Sequence, residues 1–334
     1  MTPVGSQVAA PRLSRAVIRL DDGHRVQVSV AGAGVPLVVV HGYTAEGFLY
    51  AQSLSRLVAS GFRVIAIDTA GHGGTASLTD GGNLRDYARL LGRAVDALGI
   101  TKAVFAGHSM GGRLVTELVA RQPRRGIGVL LLDAIVGDTW DSMVQVYRFA
   151  PPLFSVTGGA LVADTMCTVP LLRNPRQAMK LAKLWAPNWA HNARRPMGLL
   201  GAAVSIVRSG PSRWMLERLA DERIPVVSIH GDRDLAVPLR SARDAVARSN
   251  GELVVVHGAT HSWPLKDPET LPAIMVELLA EGRLADAVRA IRTPEKECYV
   301  PRAKVFELTP PVDFVPTGVQ RGRPRYRWTR EAAG

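Results

Sequence analysis

The sequence predicts an α/β fold in which a mostly parallel sheet is flanked by helices. Short apolar runs that suit buried strands alternate with stretches of helical periodicity, an order typical of this class. The chain has 334 residues, enough for one large domain with an insertion, and 47% of them are hydrophobic. No apolar run approaches the ~18 residues that a membrane-spanning helix needs.

Eight strands are predicted. Two polar-alternating segments, residues 15–20 and 24–30, flank the turn Asp21-Asp22-Gly23 and predict an antiparallel hairpin. The remaining runs are apolar at nearly every position, which favours parallel strands buried on both faces. These six runs are residues 36–40, 63–67, 102–106, 129–132, 224–229 and 252–256.

Helical periodicity appears between these strands. Apolar residues recur on one stripe of residues 84–98, and residues 239–249 predict a second amphipathic helix. A last helix is expected to begin near Pro268, because proline suits the first helical turn. We expect it to break near Gly282 and to end at Ile291.

Two regions depart from the alternation. Residues 138–223 show no strand pattern and are rich in tryptophan and methionine, which predicts a helical cap whose apolar side chains contribute to a pocket. The tail, 292–334, is rich in proline and arginine and is predicted to be extended or partly disordered. The predicted organisation is a core of two parts, 1–137 and 224–291, with the cap 138–223 between them and the tail after them.

The segment Gly107-His108-Ser109-Met110-Gly111 follows an apolar strand run and precedes a helical pattern. A G-x-S-x-G at such a junction is a nucleophile elbow, in which a tight turn presents the serine at the top of the sheet. Glycines fit this turn because they lack a Cβ. The sequence therefore predicts Ser109 as a nucleophile.

A serine hydroxyl needs a base to take its proton, and the base is usually a histidine held by a carboxylate. Downstream of Ser109, a predicted strand ends in a turn that contains Asp232 and Asp234. The next strand is followed by His261. Because open parallel sheets place their sites at the carboxyl ends of strands, these side chains are expected to meet near Ser109.

From about residue 15 to 290 the chain resembles the α/β-hydrolase superfamily, in its cap-bearing branch of serine esterases and lipases. The resemblance is carried by five segments, His41-Gly42-Tyr43, Asp68-Thr69-Ala70-Gly71-His72-Gly73, Gly107–Gly112, Gly231–Pro238 and Gly258–His261. It implies an eight-stranded, mostly parallel sheet flanked by helices.

The resemblance also implies a catalytic triad of Ser109, Asp234 and His261. Asp232 is the near alternative for the acid, and Asp133, which ends the preceding strand, is a more distant one. The backbone N–H groups of Tyr43 and Met110 would form the oxyanion hole. This constellation predicts a serine hydrolase that cleaves a carboxylic ester with an apolar acyl or aromatic part.

Two other functions stay open. A thioesterase or a carbon–carbon bond hydrolase would use the same triad, and a ligand-binding protein of this fold would use the pocket for recognition and the basic tail for a partner. A fluorophosphonate probe separates the enzymes from the binding protein, because only an activated serine reacts with it.

The remaining expectations concern partners and environment. Scattered histidines without ligand spacing predict no metal, and no motif predicts a cofactor. The net charge of +12 is concentrated partly in the tail, which suits peripheral contact with an anionic surface, and no nucleic acid partner is expected. Two cysteines and no visible signal peptide predict a cytoplasmic protein.

Overall fold

A computed structural model describes residues 13–43, 51–78, 82–166, 196–300, 306–307, 312–314 and 323–332. Within these ranges eleven strands form a single sheet. The strands are β1 Leu13–Arg19, β2 Arg25–Ala31, β3 Val35–Val40, β4 Phe62–Ile67, β5 Ala103–His108, β6 Gly126–Leu132, β7 Val226–Gly231, β8 Glu252–His257, β9 Phe306–Glu307, β10 Val312–Phe314 and β11 Arg327–Ala332.

Twelve α-helices accompany the sheet in the described part of the chain. They are α1 Ala51–Val58, α2 Leu84–Ala97, α3 Met110–Arg121, α4 Asp138–Phe149, α5 Pro151–Met166, α6 Pro196–Val207, α7 Arg213–Asp221, α8 Leu239–Ser249, α9 Trp263–Lys266, α10 Thr270–Ala280, α11 Arg283–Arg289 and α12 Pro294–Glu297. None of these helices reaches the length and hydropathy of a membrane-spanning segment.

The predicted α/β fold is confirmed. Strands β3 to β8 are parallel and lie in the order β4-β3-β5-β6-β7-β8, while β1 and β2 form the predicted hairpin and join the sheet beside β4. The central strands are buried on both faces, which explains why their sequences are apolar throughout. The last predicted helix is interrupted at Gly282, whose φ of 99° no α-helix accommodates.

The eight predicted strands are all present, and the tail adds three more to the sheet. Strands β9 and β10 pair with β1, and β11 pairs antiparallel with β8 from Arg327↔His257 to Ala332↔Glu252. Without β11, the outer edge of β8 would leave a row of unpaired backbone groups. The end of the tail therefore completes the sheet.

From residue 325 to 331, the side chains of the tail alternate between the two faces of the extended chain. Tyr326 and Trp328 are half-buried against the core, whereas Arg325 and Arg327 are exposed. The Trp328 indole donates to Glu277 at 2.9 Å, and Arg330 forms an ion pair with Glu252. From residue 325 to 328, arginines and aromatic residues therefore lie on opposite faces of the extended chain.

The insertion between β6 and β7 is helical in its described parts, α4 to α7. Trp140 is buried in the core, and Met215, also buried, lines a cavity beside α2 and α3. Trp185 and Trp189, which the sequence also assigns to the cap, lie outside the described residues, as does Cys167. The thiol of Cys298 is buried, and burial raises its pKa to about 11.

Candidate active site

Ser109 lies in the turn between β5 and α3, with φ 53° and ψ −116°. This conformation is strained for a residue with a side chain, and such strain is typical of functional sites. The flanking glycines are required, because a Cβ on Gly107 would lie 2.3 Å from the carbonyl carbon of Gly111. The Ser109 carbonyl accepts from the N–H of Ile135 at 3.2 Å, which ties the turn to the end of β6.

His261 follows β8 and lies beside the elbow. Its ring centroid is 4.8 Å from that of His108, the residue that precedes Ser109. His108 Nε2 donates to the His261 carbonyl at 2.9 Å, so the turn that carries Ser109 holds the loop that carries His261. Burial, together with the neighbouring His261, lowers the pKa of His108 to about 3 and keeps this ring neutral.

Asp234 is the carboxylate that the structure brings to His261. Its Oδ2 lies 2.7 Å from His261 Nδ1, and its Oδ1 accepts from the N–H groups of Ala236 and Val237, both at 2.8 Å. Burial disfavours the charged form, but the attraction of His261 and the hydrogen bonds outweigh it and lower the pKa of Asp234. The carboxylate is therefore ionised and fixed in orientation.

Asp232, the near alternative, serves the neighbouring loop. Its Oδ1 accepts from the N–H of Gly258 at 2.7 Å, and its Oδ2 lies 3.1 Å from Nδ1 of the exposed His257. The two carboxylates share one turn but have different partners. Between them, only Asp234 contacts the imidazole of His261.

Asp133, at the end of β6, has a left-handed backbone with φ 44° and is fully buried. Its Oδ1 accepts from the N–H of Gly231 at 2.8 Å and its Oδ2 from the indole N–H of Trp263 at 2.6 Å. Burial and the negative charge of Asp234 raise its pKa well above the ordinary value. Asp133 thus joins β6, β7 and α9 through the two hydrogen bonds that its side chain accepts.

The backbone groups expected to form an oxyanion hole border Ser109 from two sides. Met110 is the first residue of α3, so its N–H has no carbonyl acceptor within the helix. Gly42 passes so close that a Cβ there would lie 3.1 Å from Ser109 Cβ and 2.7 Å from His108 Nδ1. Tyr43 follows Gly42 directly, which places its backbone at the same edge of the elbow.

Sequence reasoning missed Asp164, which lies on α5 of the insertion. Its Oδ2 accepts from the N–H of Ser262 at 2.8 Å, and its Oδ1 accepts from Lys266 Nζ at 2.8 Å. Ser262 follows His261, so this carboxylate ties the insertion to the loop that carries the histidine. No motif marks Asp164, because its partners lie about a hundred residues away in the chain.

The described residues offer one cluster with the spacing of metal ligands, Asp133, His230 and Asp234, whose ligand atoms lie within 4.8 Å of one another. These atoms already have partners: His230 Nε2 donates to the carbonyl of Val237 at 2.8 Å, and both carboxyl groups accept from N–H groups. A nitrogen that carries a proton cannot ligate a metal. The cluster is best explained by hydrogen bonding.

Comparison with known proteins places this geometry in a family. The sequence profile of the alpha/beta hydrolase family matches residues 37–273. A protein of Mycobacterium phage D29, named as a non-heme haloperoxidase, is 34% identical over 258 residues, which cover 75% of this chain and 90% of the relative. A bifunctional esterase/perhydrolase of Acinetobacter calcoaceticus is 25% identical over 254 residues, covering 69% of this chain and 86% of the relative.

A solved structure gives the same fold. A carboxylesterase structure from Nitrososphaera gargenis superimposes with a TM-score of 0.62 at 19% identity, covering 82% of this chain and 100% of that chain. At this identity the likeness concerns the fold alone. The family profile, which covers more than half of the chain, and the phage relative establish that the chain belongs to the alpha/beta hydrolase family.

Proposed function

We propose that the protein is a serine hydrolase that cleaves carboxylic esters through an acyl-enzyme intermediate. The observation that carries this proposal is the 2.7 Å hydrogen bond between Asp234 and His261, beside the strained backbone of Ser109. A carboxylate that holds an imidazole next to a serine at a nucleophile elbow is the arrangement that activates the hydroxyl. The esterase activity named for the Acinetobacter relative supports the same reaction class.

The roles follow from the chemistry of the three groups. The Ser109 hydroxyl oxygen attacks the ester carbonyl carbon while His261 takes the hydroxyl proton through Nε2. Nδ1 of His261 faces Asp234, so the carboxylate holds the tautomer whose Nε2 is free and stabilises the imidazolium that forms. The tetrahedral intermediate then expels the alcohol, which takes the proton from His261. Water then attacks the acyl carbonyl carbon while His261 takes its proton. The carboxylic acid is released, and the oxygen of Ser109 takes the proton back from His261.

The negative charge of the tetrahedral intermediate would fall between the N–H groups of Tyr43 and Met110. The N–H of Met110 also begins α3, whose twelve residues place the positive end of the helix dipole at this point. Backbone donors of this kind are already oriented before the reaction, and removal of one such donor from an oxyanion hole typically reduces kcat ~10²–10³-fold. The Gly42–Tyr43 loop therefore contributes through its backbone.

The apolar acyl or aromatic substrate follows from the composition of residues 138–223, which are rich in tryptophan and methionine. Thioester and carbon–carbon bond hydrolysis use the same three groups and stay alternatives. The perhydrolase activity named for the Acinetobacter relative differs only in the second step, where hydrogen peroxide replaces water as the acceptor of the acyl group.

The test combines covalent labelling with turnover. A fluorophosphonate probe should label the folded protein at Ser109 with loss of fluoride, and Ser109→Ala should abolish labelling and lower p-nitrophenyl ester turnover by roughly 10⁴-fold or more. Ser142→Ala, which changes an exposed serine on α4, is the matched control and should retain both. A panel of acyl chain lengths, run beside acyl thioesters and with added hydrogen peroxide, separates the alternatives. Folded protein that does not react would favour a ligand-binding function.

A further inference from the structure

A second cavity lies away from the triad, between α2, α3, the link 208–212 between α6 and α7, and the start of α7. Its volume is about 290 Å³, near the lower end of small-ligand sites. Four arginines and one glutamate are among its lining residues, Arg85, Arg113, Arg121, Arg208 and Glu117. The lining therefore carries an excess of three positive charges.

Arg113 is the central observation. The residue is 2% exposed, and its Nε and Nη1 have no hydrogen-bond partner among the described residues. Its Nη2 donates to the carbonyl of Gly210 at 2.7 Å, and the nearest carboxylate oxygen, from Asp141, is 3.6 Å from Nη1. A buried guanidinium with N–H groups left over is unfavourable unless an acceptor enters the cavity it lines.

The carboxylates near Arg113 are engaged elsewhere. Glu117 accepts from Arg121 Nε at 2.8 Å, and Asp141 accepts from the backbone and hydroxyl of Ser212 at 2.6 and 2.8 Å. Even with Asp141 counted, two positive charges stay in excess. A single carboxylate ligand would leave one of them unbalanced, whereas a dianion would neutralise both.

Two further features suit a dianion with several acceptor oxygens. Arg85 and Arg208 are exposed at the cavity and make no ion pair with the described residues, so both guanidinium groups are available. The first turn of α2 also lines the cavity, and its capping box uses the N–H groups of Asn83 and Asp86 but not those of Leu84 and Arg85. Helix N-termini and arginine forks are the groups that proteins use to hold phosphate.

We propose that this cavity binds a phosphate group, as inorganic phosphate or as part of a small phosphomonoester. Arg113 would donate Nε and Nη1 to its oxygens from the buried side, and Arg85 and Arg208 would close over it from the solvent side. Because Arg208 follows α6 directly and Arg113 lies on α3, one turn after Ser109, the bound group would tie the insertion to the helix behind the nucleophile. This site is independent of ester turnover.

The test is direct binding by calorimetry, with inorganic phosphate and phenyl phosphate as probes and sodium chloride at matched ionic strength as the blank. Wild-type protein should bind at least one probe saturably with one site per chain. Arg208→Gln and Arg85→Gln, both exposed and therefore safe for folding, should each weaken binding about tenfold, the effect of one lost charged hydrogen bond. Arg240→Gln, an exposed arginine on α8 outside the cavity, should bind like wild type.

The two probes distinguish the source of the phosphate. Equal affinities indicate inorganic phosphate, and tighter binding of phenyl phosphate indicates an organic phosphomonoester that extends toward Trp214, which lines the same cavity. Ester turnover by Arg208→Gln should equal that of wild type, so a failure of the triad assignment would not affect this result. The proposal is overturned if neither probe binds saturably, or if both cavity variants bind as tightly as Arg240→Gln.

Discussion

Asp234 and His261 are 27 residues apart in the chain, yet their side chains meet at 2.7 Å because β7 and β8 are adjacent parallel strands. Each residue lies shortly after the carboxyl end of its strand, so the register of the two strands brings the loops together. Both side chains are buried, Asp234 at 8% exposure and His261 at 2%. Among the carboxylates of the described residues at this end of the sheet, only Asp234 contacts the imidazole of His261.

Asp234→Asn should lower kcat by roughly 10³–10⁴-fold with little change in KM, because an amide cannot hold the imidazole in its reactive tautomer. Asp232→Asn is the matched control in the same turn. It disturbs only the Gly258 and His257 contacts and should retain turnover within a few-fold. The measurement is kcat and KM of both variants on one p-nitrophenyl ester. If both variants lost kcat to a similar extent, turnover would depend on the structure of the turn and not on the Asp234 carboxylate.

Asp133 should matter for stability rather than for turnover. Asp133→Asn turns one of its two acceptor oxygens into a donor and leaves either Gly231 or Trp263 without a partner, which should lower the free energy of unfolding by about 1–3 kcal/mol. Trp263→Phe removes the indole donor, so the double variant should recover part of that loss. Urea unfolding of the four proteins measures the coupling. A large loss of kcat in folded Asp133→Asn would instead make this residue the acid.

Asp164 is expected to position the His261 loop from the insertion. Asp164→Ala removes the acceptor for the Ser262 N–H and should lower kcat about tenfold, because the loop loses one charged hydrogen bond. Lys266→Met removes the ion pair and the Lys266 contact with the Thr260 hydroxyl but keeps the Ser262 contact, so its kcat should fall less. The comparison requires kcat and KM for a small ester. Equal effects of the two variants would argue that the contacts of Lys266, and not the Ser262 hydrogen bond, hold the loop.

Removal of residues 323–334 should destabilise the protein although the proposed triad lies elsewhere. The truncation exposes the edge of β8 and the apolar surface beneath Tyr326 and Trp328, which corresponds to roughly 3 kcal/mol of stability. Arg327→Gln, an exposed position on β11, should leave stability unchanged. Urea unfolding monitored by circular dichroism tests both. Unchanged stability of the truncated chain would show that β11 contributes little to the folded state.

Buried histidines should make the fold sensitive to acid. Burial lowers the pKa of His41 to about 4 and that of His108 to about 3, from 6.5 in each case. Between pH 6.5 and about 4, unfolding therefore takes up a proton at each ring, and the buried His230 adds to this uptake. Asp133 acts in the opposite direction, because its raised pKa means that unfolding releases its proton.

The net uptake is small near pH 6.5 and approaches one proton below about pH 5.5, so the free energy of unfolding should fall by about 1 kcal/mol per unit as the pH is lowered from about 5.5 to 4.5. Urea titrations at constant ionic strength and several pH values in that interval measure the slope. Stability that is constant or increases toward pH 4.5 would contradict the burial of neutral rings.

The sequence alone was sufficient for the α/β class, because hydrophobic periodicity is a local property and each strand and helix carries its own pattern. Predicted strands such as 252–256 and helices such as 239–249 match the structure within three residues at either end. The sharp turn at Ser109 could be predicted for the same reason: the glycines that a strand-to-helix turn of this kind needs lie within two residues of the serine.

Strand order and side-chain partners were decided only by the tertiary structure. The alternating arginines of the tail do not indicate which edge they join, and only the unpaired backbone of β8 determines that β11 docks there. Asp164 carries no local signal, because its contact with Ser262 depends on how the insertion packs over the sheet. The importance of Asp133 and Arg113 depends on their burial and on which of their polar atoms have hydrogen-bond partners, and only the folded structure shows both. Local patterns determine which elements form, whereas the energetics of a buried charge depend on groups that are distant in the chain and adjacent only after folding.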